Sequence, residues 1–225
     1  MGTGRKNPLT ARQGPSQATV IGVVVVAVFA VLVGAGVYAK TRPADVVIPP
    51  NASAEGVAVG SADAEATIDV YLDFQCPACR QFEQLSGQTV DQLRDSGQAR
   101  VVYHPVAILD RTSPDRYSTR ASAASGCAAA DGMFPQFAKL LYDNQPAEGS
   151  PGLTNDRLAE LGQQAGGGPD FASCVADQRY AGWAGELTSQ ASKDGLSGTP
   201  TVKVNGQQID QPTPDALTGA VRAAG

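Results

Sequence analysis

The chain has 225 residues, of which 42% are hydrophobic and 17% charged, with four cysteines, one histidine and a formal net charge of −5. This length suits one domain or slightly more, and the composition excludes both a disordered chain and a cysteine-dense miniprotein. The negative charge argues against a nucleic-acid partner, because phosphate contacts need clustered Lys and Arg.

An apolar segment near the N-terminus has basic residues before it. Residues 18–39 contain no charged side chain, and three basic residues and no acidic ones precede them. A helix of that length reaches about 33 Å and can cross a hydrocarbon core of about 30 Å. The segment predicts a single transmembrane anchor, with residues 1–17 in the cytoplasm and the rest exported across the cell membrane. The alternative is a signal peptide cleaved after residues 37–39, although such apolar cores are usually shorter.

The exported part differs in charge from the whole chain. Residues 40–225 hold 14 of the 17 basic residues and all 22 acidic ones, so their formal net charge is −8. They also hold all four cysteines, on the side of the membrane where disulfides form and persist. Residues 40–55 contain prolines and lack periodicity, which predicts a linker followed by a folded domain over 56–225.

The first two cysteines follow a predicted strand. Residues 67–74 alternate apolar and polar side chains, as a half-buried strand does. Cys76 then suits a helix cap and Pro77 the first helical position. The helix itself is predicted from an apolar stripe formed by Phe82, Leu85, Val90 and Leu93.

The Cys76-Pro77-Ala78-Cys79 unit therefore lies where a strand turns into a helix. Free N–H groups and the helix dipole stabilise a thiolate there, so the pKa of Cys76 should fall. Cys79, one turn further along, is placed to resolve a mixed disulfide. A zinc site would need a second such pair, which the sequence lacks, and a structural disulfide across so short a loop adds little stability. The unit predicts a redox pair with neither a metal nor an organic cofactor.

The other two cysteines lie alone in small-residue helical sequence. Cys127 belongs to the segment 119–131 and Cys174 to the segment 169–177. A bond between them would close a long loop and contribute roughly 4 kcal/mol by chain entropy. Two buried free thiols are the alternative, but that arrangement is more typical of cytosolic proteins. A structural disulfide is therefore the favoured interpretation.

The remaining elements follow in order. Residues 99–103 predict a second strand, with His104 as an ordinary residue at its end. A helical block of about 111–196 comes next, with helical patterns that include Phe134, Leu158 and Trp183. Two short strands flanking Asn205-Gly206 predict a hairpin. A helix capped by Thr213, with Pro214 in its first position, closes the chain.

These motifs carry a resemblance to a known family. Tyr-Leu-Asp-Phe-Gln-Cys-Pro-Ala-Cys at 71–79, Gly-Thr-Pro-Thr-Val at 198–202 and the hairpin resemble the thioredoxin-fold DsbA family. Within it, residues 56–224 are similar to the membrane-anchored or exported actinobacterial members, mycobacterial ones included. The resemblance implies an α/β thioredoxin fold with a helical insertion, here preceded by a single N-terminal transmembrane helix, and a thiol:disulfide oxidoreductase activity.

The resemblance also assigns residue roles. It implies a cis peptide bond at Thr199-Pro200, lying against the redox pair, whereas the sequence alone is equally compatible with a trans bond. The residue before that proline would pair its backbone with a substrate peptide. Cys127 and Cys174 resemble the extra structural disulfide of mycobacterial members. Family members with a histidine between the two active cysteines are strong oxidants, but this chain has Pro77 and Ala78 there.

Three functions are consistent with these features. The first is an oxidase, expected to be a monomer, which introduces disulfides into reduced exported proteins. The family resemblance implies that a membrane partner of the VKOR or DsbB type reoxidises it. The second is an isomerase or reductase of the same fold. The third is a tethered metal- or thiol-binding module, disfavoured by the absence of Met-rich and His-rich tracts.

Overall fold

The computed structural model describes residues 46–224 and, nearer the N-terminus, positions 17, 20–22, 24, 26, 28–31 and 33. Most of the predicted cytoplasmic segment 1–17, much of the predicted anchor 18–39 and the start of the predicted linker therefore lie outside the described residues. Within the described part of the chain, no helix combines the length and the apolar character needed to cross a membrane.

A five-stranded mixed sheet forms the centre of the folded unit, in the order β1-β3-β2-β4-β5. The strands are β1 (Val57–Val59), β2 (Ala66–Leu72), β3 (Ala99–Pro105), β4 (Thr201–Val204) and β5 (Gln207–Gln208). β2 and β3 are parallel, and the other pairs are antiparallel. Parallel neighbours need a crossover connection, which helix α1 (Pro77–Asp95) provides.

Six further helices follow in the described residues. They are α2 (Tyr117–Ala130), α3 (Phe134–Asp143), α4 (Asn155–Gln164), α5 (Phe171–Ala176), α6 (Ala181–Lys193) and α7 (Pro214–Ala224). A short 3-10 turn over Ile108–Arg111 precedes α2. Helices α2 to α6 form an insertion between β3 and β4, close to the predicted range 111–196. Helix α2 is buried along most of its length, because its many small residues (Ala, Ser and Gly) let neighbouring elements pack closely.

The sheet has helices on both faces. Because successive residues of a strand point to opposite sides, adjacent residues of β2 face different helices. On one face, Val70 of β2 lines a cavity together with Val90 of α1. On the other face, Tyr71 lines a groove with Leu187 of α6. The active-site helix and the end of the insertion thus cover opposite faces of the same strand.

The second half of the predicted linker is packed against the insertion. Pro49 is buried, and Asn51 Nδ2 donates to the carbonyls of Ala129 and Ala130 at 3.2 and 3.3 Å. Ser53 O accepts from the indole N–H of Trp183 at 2.8 Å. The last carbonyls of a helix and a buried indole both need partners, and this segment supplies them.

The apolar stripe predicted for α1 is wrong at one position. Leu85 is 58% exposed, whereas the adjacent Ser86 is fully buried. The Ser86 hydroxyl donates to Pro212 O at 2.7 Å, in the loop that leads to α7. This hydrogen bond to a segment far along the chain gives the buried Ser86 hydroxyl its partner, and local periodicity cannot show it.

Candidate active site

The chain turns sharply between β2 and α1, and this turn positions Cys76. β2 ends at Leu72, two residues before the predicted strand end. The Cys76 N–H donates to Asp73 O at 3.0 Å, and Cys76 becomes the N-cap of α1 with Pro77 in the first turn. Proline is favoured at this position because its missing N–H would have no helical partner. Cys76 is 8% exposed, while Pro77 and Ala78 beside it are exposed.

The two thiols of the pair have opposite electrostatic environments. A hydrogen bond from the Cys79 thiol, the Thr199 side chain and the N–H groups of Cys79 and Ala78 together lower the pKa of Cys76 to about 6, against the opposing effect of burial. Burial raises the pKa of Cys79 well above its usual range, and Cys79 is only 1% exposed. Both cysteines are free thiols in this structure. Cys76 is thus suited to be the thiolate and Cys79 the protonated partner.

The loop before β4 packs directly on the nucleophilic sulfur. The Thr199-Pro200 peptide bond is cis, and Cys76 Sγ lies 3.2 Å from Thr199 O. The Thr199 hydroxyl is buried and has no hydrogen-bond partner within the described part of the chain. A thiolate at Cys76 would give this hydroxyl an acceptor, which accounts for its effect on the pKa.

Asp73 is a buried carboxylate that the sequence reasoning did not single out. Its Oδ1 accepts from the Ser118 hydroxyl at 2.6 Å and from Gln75 N at 2.9 Å, and its Oδ2 accepts from Leu109 N at 3.0 Å. Burial raises its pKa to about 6 despite these donors, and the charge of Cys76 adds to the rise. Asp73 therefore ties the active-site turn to the 3-10 turn and to α2.

Cys127 and Cys174 form a disulfide between α2 and α5, with their Cα atoms 6.1 Å apart. Both residues are buried. The bond lies within the helical insertion, and neither of its sulfurs belongs to the Cys76-Cys79 pair.

His104 lies in β3 and is also separate from the redox pair. Its ring stacks on Tyr71 at 4.1 Å between centroids. Its Nδ1 lies 2.5 Å from Glu55 O and its Nε2 lies 3.0 Å from Asp69 Oδ1. These contacts place the histidine on the α6 side of the sheet. In the described residues, no group of His, Cys, Asp and Glu side chains is arranged to hold a metal ion.

Comparison with known proteins identifies the family. Residues 52–223 match the family model described as Thioredoxin. A solved DsbA from Mycobacterium tuberculosis is 33% identical, with a TM-score of 0.68 over 76% of this chain and 92% of that one. The reduced disulfide bond oxidoreductase DsbG from the same organism is 34% identical, with a TM-score of 0.67 over 74% and 86% of the two chains.

A curated relative of different architecture shares the same region. The serine/threonine-protein kinase PknE of Mycobacterium tuberculosis is 35% identical over 159 residues, which cover 66% of this chain. The matched region is only 28% of the kinase, so this chain spans about a quarter of that relative's length. The shared fold, the Cys76-Cys79 geometry and the solved relatives converge on one assignment: the chain belongs to the thioredoxin family, among its DsbA-like thiol-disulfide oxidoreductases.

Proposed function

We propose that this protein is a membrane-anchored, extracytoplasmic thiol:disulfide oxidase that introduces disulfides into exported proteins. The observation that carries the proposal is the asymmetry of the pair, in which Cys76 has a pKa of about 6 and Cys79 a pKa well above its usual range. A stabilised thiolate is a good leaving group and favours the reduced form of the pair, which makes its disulfide oxidising.

The reaction takes two exchange steps. A substrate thiolate attacks Cys76 Sγ of the oxidised pair, the Cys76–Cys79 bond breaks, and Cys79 leaves and takes up a proton. A second substrate thiolate then attacks the substrate sulfur of the mixed disulfide, and Cys76 leaves as a thiolate. The substrate loses two electrons and the pair gains them. A membrane partner of the VKOR or DsbB type would restore the disulfide.

The site also offers a place for the substrate backbone. Thr199 lies beside the nucleophilic sulfur, and the loop that carries it leads into β4. An extended peptide could pair with this backbone as an added strand while its cysteine meets Cys76. This geometry accepts many substrate sequences, because main-chain hydrogen bonds do not depend on the identity of the side chains.

Refolding of a reduced, disulfide-dependent protein tests the activity. Cys76→Ser should abolish catalysis, because the attacked sulfur is lost. Cys79→Ser should also fail to oxidise the substrate, because Cys76 alone cannot form the intramolecular disulfide that the substrate thiolate attacks. Refolding at the wild-type rate by Cys76→Ser would overturn the mechanism.

An isomerase or reductase is the second candidate, and one observation favours it. The pKa of about 6 at Cys76 is closer to the value of about 7 in thioredoxin than to about 3.5 in DsbA. Equilibration with glutathione separates the two functions. An oxidase should have a potential clearly above thioredoxin's, which is about −270 mV, and a value at or below that figure would favour the reductase.

The proposed location rests on the uncharged segment 18–39 and on the charge of residues 40–225. In intact cells, a membrane-impermeant maleimide should label Cys76 of the reduced protein, because the catalytic domain would lie outside the membrane. Labelling only after cell lysis would place the domain in the cytoplasm.

A further inference from the structure

The helical insertion reaches the active-site turn through the side chain of Gln145, which follows α3. Its Nε2 donates to Phe74 O at 3.1 Å and to Cys76 O at 2.9 Å. Both partners are carbonyl oxygens, so the amide nitrogen has to face them. One side chain of the insertion therefore bonds the carbonyls on either side of the peptide that leads into the nucleophile.

A second glutamine makes the reciprocal connection. Gln75, the residue before Cys76, is fully buried. Its Nε2 donates to Ala147 O at 3.2 Å and to Ser150 O at 3.0 Å, in the loop that Gln145 begins. We name Gln75 and Gln145 the amide clasp, because each holds the backbone of the other's segment.

The clasp acts where the first turn of α1 is built. Cys76 O, which Gln145 binds, also accepts from Cys79 N at 3.1 Å and from Arg80 N at 3.2 Å. The N–H groups of Ala78 and Cys79 in this same turn are among the donors to the Cys76 sulfur. Holding the Cys76 carbonyl therefore fixes the direction of the donors that stabilise the thiolate.

The clasp also compensates charge. Carbonyl oxygens carry partial negative charge, and two of them lie in the backbone next to the sulfur. An amide N–H bound to each offsets that charge in a partly buried site, where electrostatic interactions are stronger than in water. Both effects favour the thiolate over the thiol.

We propose that Gln145 is a positioning residue for disulfide exchange, acting through the backbone of the active-site turn on the Cys76 sulfur. This inference rests on the proposed function. It gives the helical insertion a part in the chemistry, in addition to its packing.

The test compares Gln145→Met, which keeps the length but cannot donate, with Gln145→Glu, which cannot donate and adds a negative charge. Gln163→Met is the matched control, because the Gln163 amide donates to Gly168 O inside the insertion. Each reduced full-length protein is titrated by thiolate absorbance and by its rate of alkylation with iodoacetamide. Unfolding midpoints are measured for the oxidised and reduced forms.

Gln145→Met should slow alkylation of Cys76 near pH 6 about fivefold, the fall in thiolate fraction for a pKa rise of about one unit. Gln145→Glu should slow it further, and Gln163→Met should match the wild type. If Gln145→Glu does not fold, Gln145→Met alone decides.

A purely structural clasp predicts a different pattern. Both redox forms of Gln145→Met would then lose stability equally while Cys76 keeps its wild-type titration, and that result would overturn the proposal. Failure of the proposed function has its own signature, since the wild-type protein itself would then not oxidise the reduced substrate, whatever the titration of Cys76 shows.

Discussion

Replacing Cys76 by serine should change the pH dependence of stability in the reduced protein. The folded pKa of Cys76 is about 6, against about 8.5 for a free cysteine. Because the folded value is the lower one, the thiolate contributes stability above the unfolded pKa and loses it as the pH falls through 6. The contribution works out at about 1.4 kcal/mol at pH 7, about 2.6 kcal/mol at pH 8 and near zero at pH 5.

The assay is chemical denaturation of the reduced wild type and of Cys76→Ser, in excess reductant, across this pH range. Serine does not titrate, so any fixed cost of the substitution shifts the whole curve and leaves its slope. The difference in unfolding free energy should grow by about 2.5 kcal/mol between pH 5 and pH 8. Thiolate absorbance of the same samples gives the pKa directly.

A difference that stays flat over this range would refute the reasoning, as would titration of Cys76 above about pH 8. The lowered pKa of Cys76 also affects the redox potential of the pair. Stabilising the reduced form by about 1.4 kcal/mol at pH 7 raises the potential of the pair by about 30 mV. The measured potential and the measured pKa must therefore agree.

Three further predictions concern the surroundings of the pair. Thr199→Val should raise the pKa of Cys76 by about one unit because the buried hydroxyl donor is lost, and Thr199→Ser should preserve it in the same absorbance titration. Removing the Cys127–Cys174 disulfide, which spans 47 positions, should lower the unfolding free energy by roughly 4 kcal/mol in thermal or urea denaturation, with Cys76 titrating as before. Asp73 has a pKa raised to about 6, so the stability it contributes is complete below about pH 4 and lost as the pH rises through 6. Wild type should therefore lose about 2.3 kcal/mol relative to Asp73→Asn between pH 4 and pH 7, and a constant difference would contradict this.

The local features of the site were readable from the sequence. Cys76 is the cap of α1 and Pro77 lies in its first turn, because capping and proline preferences depend on adjacent residues alone. The hairpin was predictable for the same reason. Asn205 and Gly206 have φ values of 48° and 81°, a conformation that few other pairs adopt at low cost.

The cis bond before Pro200 and the pairing of Cys127 with Cys174 came from the family resemblance. Four cysteines allow three pairings, and an X–Pro bond can take either isomer. The structure contains the isomer and the pairing that the resemblance implied. Neither follows from local sequence preference.

The contacts that surround the redox pair were decided only by the tertiary structure. Gln145 lies 69 positions from Cys76, and Ser118 lies 45 positions from Asp73. No local sequence pattern identifies the distant partner of a glutamine or a serine, because the burial and hydrogen bonds of these residues depend on which segments the fold brings together.

The features of this chain thus fall into two groups, those that depend on neighbouring residues and those that depend on tertiary packing. The sequence by itself determined the uncharged N-terminal segment, the acidic remainder and the strand-to-helix turn that holds Cys76, since charge and capping are properties of neighbouring residues. Tertiary structure decided how the insertion holds that turn and which groups set the two thiol pKa values. Desolvation and long-range hydrogen bonds exist only once the chain is packed.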